Sequence, residues 1–205
     1  PAEPPLASAP AAFSCDNVTE IPKAECEALV ALYNSTNGPG WKSSNGWLQT
    51  NTPCTWEGVS CWDGHVQTIE QHDNLLRGPI PPELGNLTKL NWLEIDHNQL
   101  TGAIPSELGN LANLRALSLF DNQLSGPIPS ELGNLTNLWW LYLWNNELSG
   151  AIPSQLGDLT NLQSLSLGSN QLSGSIPPEL GNLATLQGLG LDNNQLSGPI
   201  PPELG

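Results

Sequence analysis

Apolar residues recur in this chain with a fixed spacing of 24 residues. One period begins at Leu114, and its next apolar positions, Leu117 and Leu119, alternate with small or polar residues. Such alternation predicts a short strand with one apolar face. The same frame begins at five other apolar residues, which are Val66, Leu90, Leu138, Leu162 and Leu186. Repetition in constant phase predicts a solenoid, in which each coil buries its apolar face against its neighbours.

Three further columns of the frame have structural explanations. An asparagine follows each predicted strand, and a glycine and an Ile-Pro pair follow the asparagine. The asparagines are Asn74, Asn98, Asn122, Asn146, Asn170 and Asn194. An inward-facing asparagine satisfies backbone groups at the turn that leaves the strand. Glycine permits backbone angles that other residues resist, and proline keeps the return path extended. We therefore expect these columns to have no catalytic role.

The frame from Val66 to Gly205 resembles the leucine-rich repeat family, and within it the plant-type subclass with L-x-x-L-x-L-x-x-N-x-L-(S/T)-G-x-I-P. This resemblance implies an α/β repeat solenoid, with a right-handed coil, a parallel β-sheet on the concave face and an extended or 3-10 convex side. It also implies a small, helical, disulfide-bonded N-terminal cap. We expect a Pro/Ala-rich leader or linker in 1–13, the cap in 14–65, and six repeats in 66–205. The last repeat is incomplete, and we expect no C-terminal cap after it.

The predicted cap contains one helix and all four cysteines. The helix is expected over 22–34, with a proline in its first turn and one apolar stripe formed by Cys26, Leu29, Val30 and Tyr33. Cysteines 15, 26, 54 and 61 allow three pairings. The segment from Cys54 to Cys61 resembles the C-x-W-x-G-V-x-C signature of plant-type caps, where the two cysteines form a disulfide. The resemblance thus implies the pairs Cys54–Cys61 and Cys15–Cys26.

Paired cysteines indicate an oxidising compartment, so we expect an extracellular or cell-surface protein. N-glycosylation sequons begin at Asn17, Asn34, Asn86 and Asn134. They would carry glycans only if the source is a eukaryotic secretory cell.

Charge and composition limit the functions that the chain is expected to have. Asp and Glu number 20 against 5 Lys and Arg, which gives a formal net charge of −15. Such an acidic chain lacks the cations needed to bind nucleic acid or an anionic membrane surface. No apolar run approaches the roughly 18–20 residues of a membrane span. G-x-S-x-G, P-loop and H-E-x-x-H motifs are absent from the sequence, so we expect neither an enzyme nor a cofactor.

The variable strand positions provide the candidate binding surface. In the leucine-rich repeat family these positions line the concave face, where ligands bind. The corresponding residues here are acidic in the first coils, aromatic in the centre and small toward the C-terminus. The candidate ligand-binding residues are Trp92, Phe120, Trp140, Tyr142, Trp144, Glu94 and Asp96, with Trp139 beside them. Clustered aromatic side chains on a surface are typical of binding sites, and Trp and Tyr suit both sugar rings and apolar side chains.

An acidic patch at the same face suggests two further chemistries. Glu70, His72, Glu94 and Asp96 are expected to form a rectangle of roughly 5 by 7 Å on neighbouring strands. Carboxylates and imidazoles in this arrangement suit a divalent cation, and two carboxylates one strand apart suit a glycosidase. The patch is open, however, and the alternative is a solvated acidic surface without a metal or a reaction.

These observations favour a non-catalytic extracellular recognition module that binds a protein, a peptide or a glycan. One alternative is a structural protein that self-associates end to end, since the last coil would expose Leu189, Leu191 and Leu196. Another is an inhibitor of a secreted, wall-degrading glycosidase. Ice binding requires a regular threonine array, and the convex column only partly provides one. That column consists of Thr88, Ala112, Thr136, Thr160 and Ala184.

Overall fold

The computed structural model describes residues 13–205, so the predicted leader lies outside the described residues except for Phe13. These residues form a solenoid with one sheet on its concave face, which confirms the predicted fold class. The strands of this sheet are β1 (Val59–Trp62), β2 (His65–Glu70), β4 (Trp92–Glu94), β6 (Ala116–Ser118), β8 (Trp140–Tyr142), β10 (Ser164–Ser166) and β12 (Gly188–Gly190). They are hydrogen-bonded in that order. All neighbours are parallel except β1 and β2, which form an antiparallel hairpin at the cap.

A second sheet follows the turn after each concave strand, where the sequence predicted only an extended path. Its strands are β3 (Arg77–Pro79), β5 (Gln99–Gly102), β7 (Gln123–Gly126), β9 (Glu147–Ala151), β11 (Gln171–Gly174) and β13 (Gln195–Leu196). Neighbouring coils pair in parallel along this edge. Because every coil has the same length, extended segments at equivalent positions bring their backbone N–H and C=O groups into register.

Short 3-10 helices complete the convex side and the cap. They are Cys15–Asn17, Gly38–Gly40, Pro53–Thr55, Pro82–Asn86, Ser106–Asn110, Ser130–Asn134, Ser154–Asp158, Pro178–Asn182 and Pro202–Leu204. Glycine allows these turns to stack closely: a Cβ added to Gly133 would lie 2.4 Å from the carbonyl oxygen of Gln155 in the next coil. Gly126 has a different role, since its φ of 80° is in the left-handed region that favours glycine.

The core is a continuous stack of leucine and isoleucine side chains inside the coils. In the central coil Leu114, Leu117, Leu119 and Leu124 are completely buried. Fully burying each such side chain stabilises the fold by about 1.5–3 kcal/mol before conformational entropy is counted. The predicted asparagine column lies at the edge of this core. Asn122 Oδ1 accepts a hydrogen bond from the Leu100 N–H at 3.0 Å, so each asparagine connects its coil to the preceding one.

The cap covers the first coil with one helix, two disulfides and an aromatic cluster. The helix α1 spans Lys23–Ser35, one residue later than predicted, because Pro22 has an extended ψ of 144° and precedes the first turn. Both predicted disulfides, Cys15–Cys26 and Cys54–Cys61, are present. The aromatic cluster consists of Phe13, Tyr33, Trp41, Trp47 and Trp56. Within residues 13–205, no helix has the length and apolar character needed to cross a membrane.

Candidate functional site

Backbone pairing places the variable side chains of the concave face in two rows. One row runs through Trp92, Ala116 and Trp140, which are paired across β4, β6 and β8. The second row runs through Glu94, Ser118 and Tyr142 in the same strands. The small residues of β6 therefore lie between large residues on both sides.

This alternation of sizes forms a slot along β6. The slot has a volume of about 380 Å³. Its lining residues are His72, Glu94, Asp96, Ala116, Ser118, Phe120, Trp140 and Tyr142. Ala116 and Ser118 form a floor that is almost completely buried, although both belong to the concave face. Tyr142 and Trp140 form one wall, and the carboxylates of Glu94 and Asp96 lie at the opposite side.

The predicted aromatic residues are all on this face, but they are half-buried against one another rather than fully exposed. The rings of Trp92 and Trp140 lean over Ala116 from opposite sides, and their centroids are 5.5 Å apart. At the other end of the strands, Phe120 stacks on Trp144 with a centroid distance of 4.4 Å. One ring of each pair, Trp140 and Phe120 respectively, also lines the slot.

Trp139 and Arg115 extend the aromatic surface beyond the strands. The Trp139 ring packs edge-on against Trp92 and Trp140, at centroid distances of 6.5 and 6.4 Å. The guanidinium carbon of Arg115 lies 4.9 Å from the Trp139 centroid, which is within the range of a cation–π interaction.

Asp96 is the most deeply placed carboxylate of the acidic patch, with a side chain that is only 9% exposed. Its Oδ1 accepts a hydrogen bond from Ser118 Oγ at 2.9 Å, and its Oδ2 lies 2.9 Å from His97 Nδ1. The second nitrogen of His97, Nε2, is 3.0 Å from Asp121 Oδ2. His72 Nδ1 lies 3.6 Å from Asp96 and 4.0 Å from Glu94. Since Asp96 is buried and hydrogen-bonded, the patch is more organised than a solvated acidic surface.

Glu94 in the patch and the neighbouring His97 have displaced pKa values. Burial raises the pKa of Glu94 above its usual value, with smaller contributions from the negative charges of Glu70 and Asp96, and His72 opposes this shift. The hydrogen bond with Asp96 raises the pKa of His97, and the charges of Asp121, Asp96 and Asp73 act in the same direction. Both shifts mean that the folded protein takes up protons more readily here than the unfolded chain.

The predicted metal rectangle is divided between two cavities. Glu70 is in register with Glu94 on β2 and β4, but it lines a separate polar cavity of about 390 Å³ on the cap side. His72 borders both cavities. Within residues 13–205, no group of three or more His, Cys, Asp or Glu side chains is arranged to hold a metal ion.

Some features of the slot were not apparent from the sequence. Ala116 and Ser118 are small residues at variable strand positions, and their role as a floor depends on the large side chains one coil away on each side. His97 follows the variable positions of its strand, and its ring connects Asp96 and Asp121. A small residue flanked at ±24 by aromatic residues is the sequence signal that would have indicated the slot.

Comparisons with known proteins agree on the repeat and cap architecture. Residues 69–198 match the family described as leucine-rich repeat region, and residues 22–62 match the leucine rich repeat N-terminal domain. Among curated proteins, the receptor-like kinase TMK4 of Arabidopsis thaliana is 38% identical over 68 residues, which cover 33% of this chain and 7% of TMK4.

Several solved structures are similar over most of the chain. One, a plant ice-binding protein, is 32% identical with a TM-score of 0.78, over 91% of this chain and 61% of that protein. Another is the ectodomain of the plant membrane receptor kinase GASSHO1/SCHENGEN3 from Arabidopsis thaliana, in complex with CASPARIAN STRIP INTEGRITY FACTOR 2. It is 28% identical with a TM-score of 0.59, over 88% of this chain and 30% of that one. The chain spans less than two thirds of each of these three relatives.

Proposed function

Because the chain belongs to the leucine-rich repeat family, we propose that it is an extracellular, non-catalytic binding module that holds a peptide or an extended protein segment across its concave face. The slot over Ala116 and Ser118 is the observation that carries this proposal. It is flanked by aromatic side chains and lies among carboxylates, so it offers both apolar contact and charge. The two disulfides and the similarity to a receptor ectodomain support an extracellular location.

A peptide is favoured over a glycan by the way the rings pack. A sugar-binding platform needs an open ring face, whereas Trp92 leans on Trp140 and Phe120 stacks on Trp144. The uncovered surface is a narrow slot, which suits one side chain of an extended segment. Self-association through the last coil and inhibition of a secreted glycosidase stay predictions from the sequence.

Selection from a displayed library of random peptides tests the proposal. We expect peptides selected on the wild-type protein to share a common sequence pattern and to lose binding to the double variant Trp140→Ala, Trp144→Ala. Trp62→Ala is the matched control, because Trp62 is 74% exposed in β1 and lies outside the slot. Peptides that bind the double variant as well as the wild type would contradict a concave binding site, and so would the recovery of no peptide above background.

Ice binding is a second candidate function, favoured by the similarity to the plant ice-binding protein. The turn residues Thr88, Thr136 and Thr160 are exposed at equivalent positions of their coils, although Ala112 and Ala184 interrupt the array. Thermal hysteresis that is lost on Thr136→Lys would support this function. Absence of thermal hysteresis would contradict ice binding and would leave the peptide proposal unaffected.

A further inference from the structure

Resting on the proposed function, we propose that the slot is a pocket for an arginine side chain of the bound partner. Its guanidinium would lie beside Glu94 and Asp96, and its methylene stem would lie along Trp140 and Tyr142. The proposal thus names the partner side chain that the slot would hold, which membership of the leucine-rich repeat family does not specify.

Among the described residues, Glu94 and Asp96 form ion pairs only with histidines. Within residues 13–205, no lysine or arginine forms an ion pair with Glu94 or Asp96. The described cations that form ion pairs or a cation–π contact lie elsewhere: Lys23 pairs with Asp16 and Glu27, Lys42 pairs with Asp73, and Arg115 lies over Trp139. A half-buried Glu94 beside the buried Asp96 therefore leaves negative charge at one side of a cavity, with only His72 and His97 to offset it.

The wall opposite the carboxylates suits the stem and the plane of an arginine side chain. Trp140, Tyr142 and Phe120 line the slot with aromatic surface. Arginine combines an apolar stem with a planar cation that stacks on aromatic rings and donates to carboxylates in a fork. An apolar side chain would use the aromatic wall but would desolvate the Glu94 carboxylate without giving it a hydrogen-bond donor.

The two carboxylates of the slot favour arginine over lysine. Two acceptors, Glu94 and Asp96, border the same slot, and a guanidinium donates to both through different N–H groups. An ammonium is more strongly hydrated and stacks less well on aromatic rings, so its transfer into this half-buried slot is less favourable. Burial raises the pKa of Glu94, and a guanidinium beside it would lower that pKa again.

Titration of the ¹⁵N-labelled protein with N-acetyl-arginine-N-methylamide tests the inference. The lysine and norleucine derivatives serve as comparison probes. We expect the arginine derivative to shift the indole N–H signal of Trp140 saturably, with an affinity about tenfold higher than that of the norleucine derivative. Glu94→Gln should weaken arginine binding by about tenfold. Glu131→Gln, the same charge change on an exposed 3-10 turn, should leave binding unchanged.

Asp96→Asn is the second variant and should also weaken binding, and unshifted indole signals of Trp47 and Trp56 will show that the cap remains folded. Equal affinity for lysine would overturn the assignment to arginine. Equal affinity for norleucine, or no shift with arginine, would overturn it as well. In all three cases, library peptides that depend on Trp140 would still support concave binding, so failure of the inference is distinguishable from failure of the proposed function.

Discussion

Asn170 shows how a single amide side chain connects consecutive coils. Its Nδ2 donates to the carbonyl oxygens of Leu143, Leu167 and Gly168 at 3.0–3.1 Å, and its Oδ1 accepts from the Leu148 N–H at 3.0 Å. These hydrogen bonds are buried, so water does not readily replace them when the amide is removed.

We therefore expect Asn170→Ala to lower the free energy of unfolding by about 2–3 kcal/mol, because it leaves backbone groups without partners. Urea denaturation measures the change. The control is Asn161→Ala, whose one exposed hydrogen bond to the Thr136 carbonyl oxygen should contribute less than about 1 kcal/mol. Equal effects of the two substitutions would contradict the structural role of the asparagine column.

His97 gives the stability of the concave face a defined pH dependence. Its pKa is raised in the folded state by the hydrogen bond with Asp96, then by nearby carboxylates. The stabilisation is thus fully present below the ordinary pKa of 6.5 and is lost as pH rises through the folded value. We expect wild type to exceed His97→Gln in unfolding free energy by more at pH 6 than at pH 9. A difference that grows with pH would contradict this assignment.

Ionised Glu94 is expected to lower the stability of the folded protein, because its carboxylate is half-buried in the slot. Because burial raises its pKa, the folded state is stabilised least once Glu94 is ionised, above its folded pKa. Glu94→Gln should therefore have a higher melting temperature than wild type at pH 7, while the two should converge at pH 4. A lower melting temperature of the variant at pH 7 would show that the ionised carboxylate is stabilising.

The 3-10 turns set how closely neighbouring coils stack. A Cβ at Gly133 would approach the backbone of Gln155 at 2.4 Å, whereas a Cβ at Gly188 would meet only the Ser164 hydroxyl at 3.3 Å. We expect Gly133→Ala to destabilise the protein by about 1–3 kcal/mol through overpacking. Gly188→Ala, on the surface of β12, should be close to neutral. Chemical denaturation of both variants measures the difference, and equal stabilities would argue against close coil stacking.

The elements that the sequence predicted correctly are those specified within one coil. The leucine positions determine the concave strands, and the asparagine column determines the turn after them. The second sheet was missed because its strands, β3, β5, β7, β9, β11 and β13, are short and all but β13 contain glycine. Their pairing depends on equal coil length rather than on strand propensity. The hairpin of β1 and β2 was missed because nothing in Val59–Trp62 distinguishes a cap strand from a first coil.

Prediction of the slot requires the side-chain positions of three neighbouring coils at the same time. Each concave column could be assigned from the sequence, and the register of Trp92, Ala116 and Trp140 follows that assignment. The direction of each ring could not be assigned, because the rotamer of Trp92 depends on Trp140, which lies two strands away. The sequence therefore placed the aromatic residues on the concave face without their packing, and in the structure they are half-buried against one another.

For the molecule as a whole, the concave face is graded from acidic to aromatic to small. The cap side carries the carboxylates, the centre carries the slot, and Ser164, Ser166, Gly188 and Gly190 leave the last strands nearly flat. A partner segment that crosses the strands would meet charge, then a pocket, then an open surface. Because a solenoid is stabilised mainly between neighbouring coils, this surface can vary in sequence without loss of the fold.

The eight tryptophans provide the most direct measurement of where a partner binds. Four lie in the cap, namely Trp41, Trp47, Trp56 and Trp62, and four lie on the concave side, namely Trp92, Trp139, Trp140 and Trp144. Indole ¹⁵N–¹H spectra would be recorded with and without a peptide selected on the wild-type protein. Binding across the concave face predicts that the four concave signals shift while the four cap signals stay. Shifts confined to the cap signals would contradict the proposed binding face.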